Sequence, residues 1–179
     1  MVGRHYAFSP KRRIFVLSCD FSPRPLRETI TVSNVFNKTS KMPEIVNTEN
    51  ASKPLGAYPH ARKVGNLLFL SGIGPRNPAD NSIPGLELDA DGNIVKYDIE
   101  AECHSVFANI KAVLEASGSS WDKIIDVTVF LTNMKTDFPV YNKIYAEYFT
   151  PVQACRTTVE VKSLPTPIAI ELKVIAVID

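Results

Sequence analysis

The sequence predicts an α+β domain in which two helices cover one face of a β-sheet. Apolar residues recur at helical spacing in two segments, roughly 98–118 and 137–149, and short apolar runs typical of strands lie before, between and after them. The element order is therefore ββαβαββ, in two layers. With 179 residues and 45% apolar content, the chain can bury one core, so we expect one folded domain.

The first two strands form a predicted hairpin over residues 56–64 and 66–73. Gly65 and Asn66 provide the turn between them. A long loop rich in Pro, Gly, Asn and Asp follows, from Gly74 to Lys96. Loops of this length in compact domains are often functional or shaped by a partner.

The first helix is predicted to begin after Asp98, a favourable N-cap residue, and to end at Gly118. Glu100 and Glu102 fall in its first turn, where negative charge is favourable. His104 lies beside the apolar stripe, and we predict that it is a surface or packing residue.

The second half of the domain contains a strand, a helix and two further strands. The strand covers residues 124–131, and the helix at 137–149 has an aromatic face typical of a core or an interface. The last two strands, 155–161 and 168–177, are joined by a Leu-Pro-Thr-Pro connection at 164–167.

Each of the last two strands carries a charged residue where a strand favours an apolar one. Arg156 lies at the start of the first, and Glu171 lies within the apolar run of the second. A buried charge is costly unless it is paired or used. A guanidinium can hold a carboxylate, and a partly desolvated glutamate can transfer protons near neutral pH. The alternatives are a structural ion pair and a site for a small carboxylate.

The strands also predict a homo-oligomer. Residues 124–131 and 168–178 are apolar on both sides, but the two helices can cover only one face of the sheet. Another subunit is the expected cover for the second face, which gives an assembly with a sheet-lined interior. A site between subunits would place Arg156 and Glu171 in a dry cleft.

Charge separates an N-terminal extension, assigned to residues 1–49, from the domain at 50–179. Residues 1–41 contain eight Lys or Arg against two acidic residues, a balance of +6, so the total of +1 leaves −5 for residues 42–179. Three interpretations of the extension stay open: a mitochondrial transit peptide, a disordered tail, and translation that begins at Met42. The expected location is accordingly cytoplasmic, or mitochondrial if residues 1–41 act in targeting.

Composition also limits the partners and cofactors. The acidic balance of residues 42–179 argues against nucleic acid, and the apolar runs are too short for a membrane span. Three cysteines and three histidines lie at no metal-ligand spacing, so we expect no metal, and no glycine motif indicates a phosphate-bearing cofactor. Cys155 is expected to be a small buried residue rather than a nucleophile.

Several ordered motifs resemble the Rid (YjgF-like) family of reactive enamine and imine deaminases, over about residues 50–178. They are GAYPHA at 56–61, FLSG at 69–72, DVTVFL at 126–131, Asp137 and Phe138 followed by Tyr141, Asn142 and Tyr145, CRTTVEV at 155–161, Leu164 and Pro165, and IELKVIAV at 170–177. Arg76-Asn-Pro, residues 80–85 and Arg156-Thr-Thr-Val are most similar to the 2-aminomuconate deaminase branch.

The resemblance implies a chorismate-mutase-like fold and a homotrimer with three clefts at subunit boundaries. It implies hydrolysis of 2-enamino or 2-imino acids to 2-oxo acids and ammonia without a cofactor. Arg156 would bind the substrate carboxylate and Glu171 would orient water or transfer protons. The remaining cleft residues that it implies are Tyr58, Asn142, Ser71 and Gly72.

Two positions depart from the pattern of the family. Ile73 stands where many members have Gln or Thr, and Thr158 stands where archetypal deaminases have a cysteine. Both are expected to line the cleft, and a threonine cannot supply thiol chemistry. Arg76 is a candidate second clamp for a dicarboxylate substrate, with a solvated loop arginine as its alternative.

Two rival functions remain open from the sequence alone. A non-catalytic module that binds small carboxylates, with a regulatory or chaperone-like role, would also use Arg156 but would gain nothing from Glu171. Nuclease activity is the weaker rival, because residues 42–179 carry a balance of −5 and lack a metal cluster.

Overall fold

The structure is a computed structural model that describes residues 43–179. Its main sheet has six strands in the spatial order β1-β2-β3-β8-β6-β7, and β4 and β5 form a separate hairpin. The strands are β1 (Glu44–Val46), β2 (Ala61–Val64), β3 (Leu67–Leu70), β4 (Glu87–Leu88), β5 (Ile94–Lys96), β6 (Ile124–Leu131), β7 (Cys155–Glu160) and β8 (Ile170–Val177).

Two helices pack on this sheet, α1 (Ile99–Ala116) and α2 (Met134–Phe149). Asp98 caps α1, because its side chain accepts hydrogen bonds from the amides of Glu100 and Ala101. The chain turns away after α1 at Gly118, which has a φ of 74°. The predicted cap and stop of the first helix are therefore confirmed.

The predicted α+β class and the two helices are confirmed, but the predicted strand count was too low. β1 lies within the range assigned to the N-terminal extension and pairs with β2. β4 and β5 lie within the predicted long loop. The three additional strands have only two or three residues each, too few for an alternating pattern to be recognised. The interpretations of residues 1–41 lie outside the described residues.

The last two strands are not neighbours in the sheet. β6 lies between them, and it pairs in parallel with β7 and antiparallel with β8. The helix α2 connects β6 to β7 as the crossover that a parallel pair requires. Predicted element boundaries were also shifted, since α2 begins at Met134, three residues before the predicted start, with Asn133 as its cap.

The two faces of the sheet differ in their cover. Along β8, Ile170, Leu172, Val174 and Ala176 are buried, whereas the residues between them are partly exposed or exposed. β6 shows the same alternation, with Val127, Val129 and Leu131 fully buried. These buried residues belong to the core between the sheet and the helices. We call the side of the sheet that carries them the helix face and the opposite side the open face.

His104 is on the outer side of α1 and is exposed, as predicted. Its Nδ1 lies 3.0 Å from the hydroxyl of Tyr148, in an aromatic cluster that includes Phe107 and Trp121. Within residues 43–179, neither helix is apolar enough over a sufficient length to cross a membrane.

Candidate active site

Glu171 lies in a cleft at the end of β3, together with four other residues predicted for the site. The cleft is bordered by the segment before β2, the segment after β3 and the connection before β8. The predicted residues in its lining are Tyr58, Ser71, Gly72, Ile73 and Glu171. The structure therefore brings together five of the eight residues predicted for the site.

The carboxyl of Glu171 lies against the backbone of Gly72. A Cβ atom added at Gly72 would lie 2.3 Å from Oε1 and 2.8 Å from the carboxyl carbon of Glu171. Only glycine leaves room for this contact. Burial raises the pKa of Glu171, so its carboxyl retains a proton at a higher pH than an exposed glutamate does.

Hydrogen bonds hold the wall of the cleft beside Gly72. The hydroxyl of Ser71 donates to the carbonyl of Pro59 at 2.6 Å, and the amide of Ser71 donates to the carbonyl of His60 at 2.9 Å. Ile73 exchanges two backbone hydrogen bonds with Leu172 of β8, of 2.8 and 3.0 Å. The 71–73 segment is therefore fixed on both sides of Gly72.

His60 also lines this cleft, and the sequence had placed it only in the hairpin. Its ring is buried, with Nδ1 accepting from the amide of Thr48 at 3.4 Å and Nε2 lying 3.1 Å from the carbonyl of Ser52. Its own amide donates to the side chain of Asn47. His60 therefore fastens the segment before β2 to the cleft and has no nitrogen free for a ligand.

Arg76 lies in the same cleft as Glu171. Its guanidinium donates to the side chain of Asn81 and to the carbonyl of Lys53, both at 2.8 Å. The side chain is only partly exposed. Arg76 is thus ordered by two acceptors beside the candidate site, which is not what we expect of a freely solvated loop arginine.

The helix α1 holds the loop that carries Arg76. Asn109 is buried and its side-chain amide donates to the carbonyls of Gly74 and Arg76, at 3.0 and 2.9 Å. Ser105 donates to the carbonyl of Pro75 at 2.6 Å. Three successive carbonyls are therefore satisfied by two residues one helical turn apart.

The other three predicted site residues form a second group around Arg156. Arg156 of β7 donates from Nη1 to the side-chain oxygen of Asn142 at 3.0 Å. Its guanidinium carbon lies 4.5 Å from the ring centre of Tyr145 and 5.8 Å from those of Phe138 and Tyr141. These contacts come from α2, so the aromatic face of this helix orients the arginine as well as packing in the core.

Thr158, the third residue of this group, follows Arg156 by two positions on β7 and shares its face of the strand. The hydroxyls of Thr158, Tyr141 and Tyr145 are buried and have no hydrogen-bond partner in the described residues. Burial raises the pKa of Tyr145, although the charge of Arg156 opposes the increase. Burial likewise raises the pKa of Tyr141, so both tyrosine hydroxyls are neutral near pH 7.

Arg156 and Glu171 lie on opposite faces of the sheet within one chain. Arg156 is level with Val127 on the helix face, and Glu171 is level with Phe130 on the open face. With β6 between their strands and three residues of offset along it, their Cα atoms are about 14 Å apart. One copy of the chain cannot direct both side chains at the same small molecule.

Cys155 is exposed, so the expectation that it is a small buried residue was wrong. It is the first residue of β7, which lies at the edge of the six-stranded sheet and pairs with β6. Cys103, on the inner side of α1, is the fully buried cysteine, and burial raises the pKa of its thiol to about 12.

Four residues of the two groups were not assigned to the site from the sequence, because their local pattern has another explanation. Tyr141 and Tyr145, which lie beside Arg156, are spaced by four residues, a pattern that core residues share. Thr166 and Ile168 lie in the connection before β8, where no periodic signal exists. The Pro-rich composition of that connection indicates only an irregular backbone.

Comparison with known proteins gives matches over nearly the whole described part. A sequence model of the family described as Endoribonuclease L-PSP matches residues 48–178. A RutC family protein of Pyrococcus horikoshii is 44% identical over 135 residues, which cover 75% of this chain and 98% of the relative. A 2-iminobutanoate/2-iminopropanoate deaminase of Dermatophagoides farinae is 34% identical, over 75% of this chain and 96% of the relative.

Solved structures match the fold. The YjgF gene product of E. coli is 32% identical, with a TM-score of 0.64 over 75% of this chain and 98% of the other. The expected family resemblance is thus supported by both sequence and structure. The chain belongs to the endoribonuclease L-PSP family, the family of the YjgF, Rid and RutC proteins.

Proposed function

We propose that the protein hydrolyses reactive 2-enamino and 2-imino acids to 2-oxo acids and ammonia. The observation that carries the proposal is the presence of two groups of candidate residues. One group surrounds the guanidinium of Arg156, which is held by its neighbours, and the other contains the partly buried carboxyl of Glu171. Two relatives support it by name, the deaminase of D. farinae and a Reactive Intermediate Deaminase A of Arabidopsis thaliana that is 35% identical over 74% of this chain and 65% of the relative.

The complete site is proposed to form between two copies of the chain, in a homotrimer. The open face carries the exposed side chain of Val159 and the partly exposed side chains of Phe69, Phe130 and Ile175, all of which a second copy would cover. Because Arg156 and Glu171 lie on opposite faces, a second copy would supply the arginine to the cleft that contains the glutamate.

The chemistry follows from the two groups. Arg156, held by Asn142 and the ring of Tyr145, grips the substrate carboxylate and fixes the adjacent C=N carbon. An enamine first accepts a proton on carbon from Glu171 and returns one N–H proton to the resulting carboxylate, which gives the imine and restores the acid. Water then adds to the imine carbon, with Glu171 passing one proton of the water to nitrogen. The hydroxyl proton of the carbinolamine finally moves to nitrogen as the C–N bond breaks, which releases ammonia and the 2-oxo acid.

A dicarboxylate of the 2-aminomuconate type is the proposed finer specificity. It is supported by Arg76, which lies in the cleft with Glu171 and has its guanidinium oriented by Asn81 and Lys53. Arg156 and Arg76 would each hold one carboxylate. An Arg76→Gln variant is expected to lose activity on the dicarboxylate and to retain activity on a 2-imino monocarboxylate.

The test is ammonia release by the full chain from 2-imino acids generated in situ by an amino-acid oxidase, and from 2-aminomuconate, with spontaneous hydrolysis subtracted. Arg156→Ala is expected to abolish the enzymatic release while the oligomer, measured by light scattering, persists. An Arg156→Ala variant as active as the wild type would reject the assignment.

The carboxylate-binding module is the second candidate, since it would use the same arginine. Glu171→Gln separates the two functions. It is expected to leave binding of a non-reactive 2-oxo acid within about twofold, because Arg156 is unchanged, and to reduce turnover by at least about tenfold. A wild-type protein that binds 2-oxo acids but accelerates no deamination would support the binding module instead.

A further inference from the structure

Glu102 is a fully buried acidic residue that the proposed chemistry does not use. It lies near the start of α1, where its side chain points into the core rather than to solvent. Its Oε2 accepts a hydrogen bond of 2.8 Å from the amide of Ala169, just before β8. Its Oε1 is buried without a partner in the described residues.

Among residues 43–179, the surroundings of Glu102 contain other acids and no pairing cation. Asp137 of α2 is also buried, and the hydroxyl of Tyr97 lies 3.0 and 3.1 Å from its two carboxyl oxygens. Asp98 and the thiol of Cys103 are the other titratable groups that interact with Glu102. None of these groups takes part in the ion pairs found in residues 43–179.

Burying a carboxyl among other acids destabilises the folded state, so we expect Glu102 to have a role that compensates for this loss of free energy. The pKa of Glu102 is raised to about 7, chiefly by burial and in part by the charges of the nearby Asp137 and Asp98, while the amides of Ala169 and Ile170 partly offset the increase. A leucine would fill the same space at lower cost but would leave the Ala169 amide unsatisfied. The role of Glu102 is therefore directed at the backbone of residues 169 and 170.

That backbone leads directly to Glu171. The carbonyl of Ala169 accepts from the amide of Thr132, at 3.0 Å, while its amide is held by Glu102. Ala169 is thus attached to the end of β6 on one side and to α1 on the other. Two residues later the carboxyl of Glu171 meets Gly72, a contact with no spare room. A small shift at Ala169 would move this carboxyl.

We propose that Glu102 is a positioning residue for Glu171, acting through the amides that begin β8. The proposal rests on the proposed function, in which Glu171 is the proton-transfer group. Glu102 touches no substrate and its effect is indirect. Two properties follow: an acceptor oxygen at this position is required, and a negative charge is not.

Three variants separate these properties. Glu102→Gln keeps an acceptor oxygen within reach of Ala169 and removes the charge. Glu102→Met keeps the volume and removes the acceptor. Cys103→Ala is the matched control, since Cys103 is the next residue of α1, is also fully buried and, within residues 43–179, donates no hydrogen bond to the start of β8.

The first measurement is independent of catalysis. NMR titration of the oligomer with carboxyl-labelled glutamate, with the Glu171 resonance assigned by Glu171→Gln, gives the pKa of Glu171 in each variant. We expect the raised pKa of Glu171 to persist in Glu102→Gln and Cys103→Ala and to move toward the ordinary glutamate value in Glu102→Met. If Glu102→Met does not assemble, Glu102→Asp replaces it, because a carboxyl shorter by one methylene cannot reach Ala169.

The second measurement is the steady-state kinetics of deamination. Glu102→Met is expected to lower kcat at least about tenfold with KM within about twofold, because Arg156 still binds the carboxylate, whereas Glu102→Gln stays within about threefold in both. An unchanged Glu171 pKa and kcat in the variant without the acceptor would overturn the proposal. If the wild type deaminates nothing, the proposed function fails, and the titration alone decides whether Glu102 positions Glu171.

Discussion

The carboxyl of Glu171 occupies the space that a side chain at residue 72 would need. The distance of 2.3 Å between Oε1 and the position of an added Cβ is too short for any real contact. This relation joins the end of β3 to β8 and explains why the cleft has a glycine beside its acidic group. The backbone at Gly72 does not have a positive φ, so its role is to leave space rather than to permit an unusual conformation.

Gly72→Ala is therefore expected to displace the carboxyl of Glu171. We predict a fall in kcat of at least about tenfold with little change in the oligomer, because the added methyl meets the carboxyl and not the core. Gly74→Ala is the control, since its added methyl would meet only the end of the Ile168 side chain, at 2.9 Å, which can move aside. Equal kcat values in the two variants would refute the steric relation.

The ring of Tyr145 is predicted to hold Arg156 for substrate binding. Tyr145→Leu removes a cation–π contact worth roughly 0.5–2 kcal/mol, so KM should rise about 2- to 30-fold. Tyr145→Phe keeps the ring and removes a hydroxyl that has no hydrogen-bond partner in the described part of the chain, and its KM should stay near that of the wild type. Phe138→Leu, whose ring is farther from the guanidinium, should have a smaller effect than Tyr145→Leu. Equal KM values for the Leu and Phe variants at residue 145 would argue against this role.

Glu102 should make the stability of the protein depend on pH. Its pKa is about 7 in the folded state and 4.5 ordinarily, so between these values the folded chain keeps a proton that the unfolded chain has lost. The stability contributed by this group is full below pH 4.5 and declines as the pH rises to about 7, by up to about 3 kcal/mol.

Glu102→Gln cannot titrate, so it should gain stability relative to the wild type as the pH rises. Urea unfolding at one fixed protein concentration, at pH 5 and pH 8, measures the difference in the free energy of unfolding. We expect the free energy of unfolding of the variant, relative to that of the wild type, to be larger at pH 8 than at pH 5. Parallel pH profiles for the two proteins would contradict the pKa assigned to Glu102.

Much of the fold could be predicted from local sequence patterns, because a long helix or strand repeats its apolar spacing several times. The apolar stripe of α1 and the cap at Asp98 were sufficient to predict the first helix. The apolar run of β6 was sufficient to predict the central strand. The strand order could not be predicted this way. The position of β6 between β7 and β8 depends on contacts between segments far apart in sequence, which leave no local trace.

The residues of the candidate site could be proposed from the sequence only in part, for a similar reason. Arg156 and Glu171 were recognisable as candidates because a charge is costly at a strand position that favours an apolar residue. Glu102 was misleading: an acidic residue in the first turn of a helix is normally explained by the helix dipole, whereas here its side chain is buried against the amide of Ala169. Only the tertiary structure distinguishes these two uses of the same residue.

The central claim is that one active site takes Arg156 from one copy of the chain and Glu171 from another. Arg156→Ala and Glu171→Gln are each expected to have little activity alone. Dissociated, mixed in equal amounts and reassembled, they should recover about a quarter of the wild-type rate of ammonia release, because each site then has a one-in-four chance of receiving both intact residues. A mixture no more active than the mean of the two variants would show that the two residues do not share a site between copies.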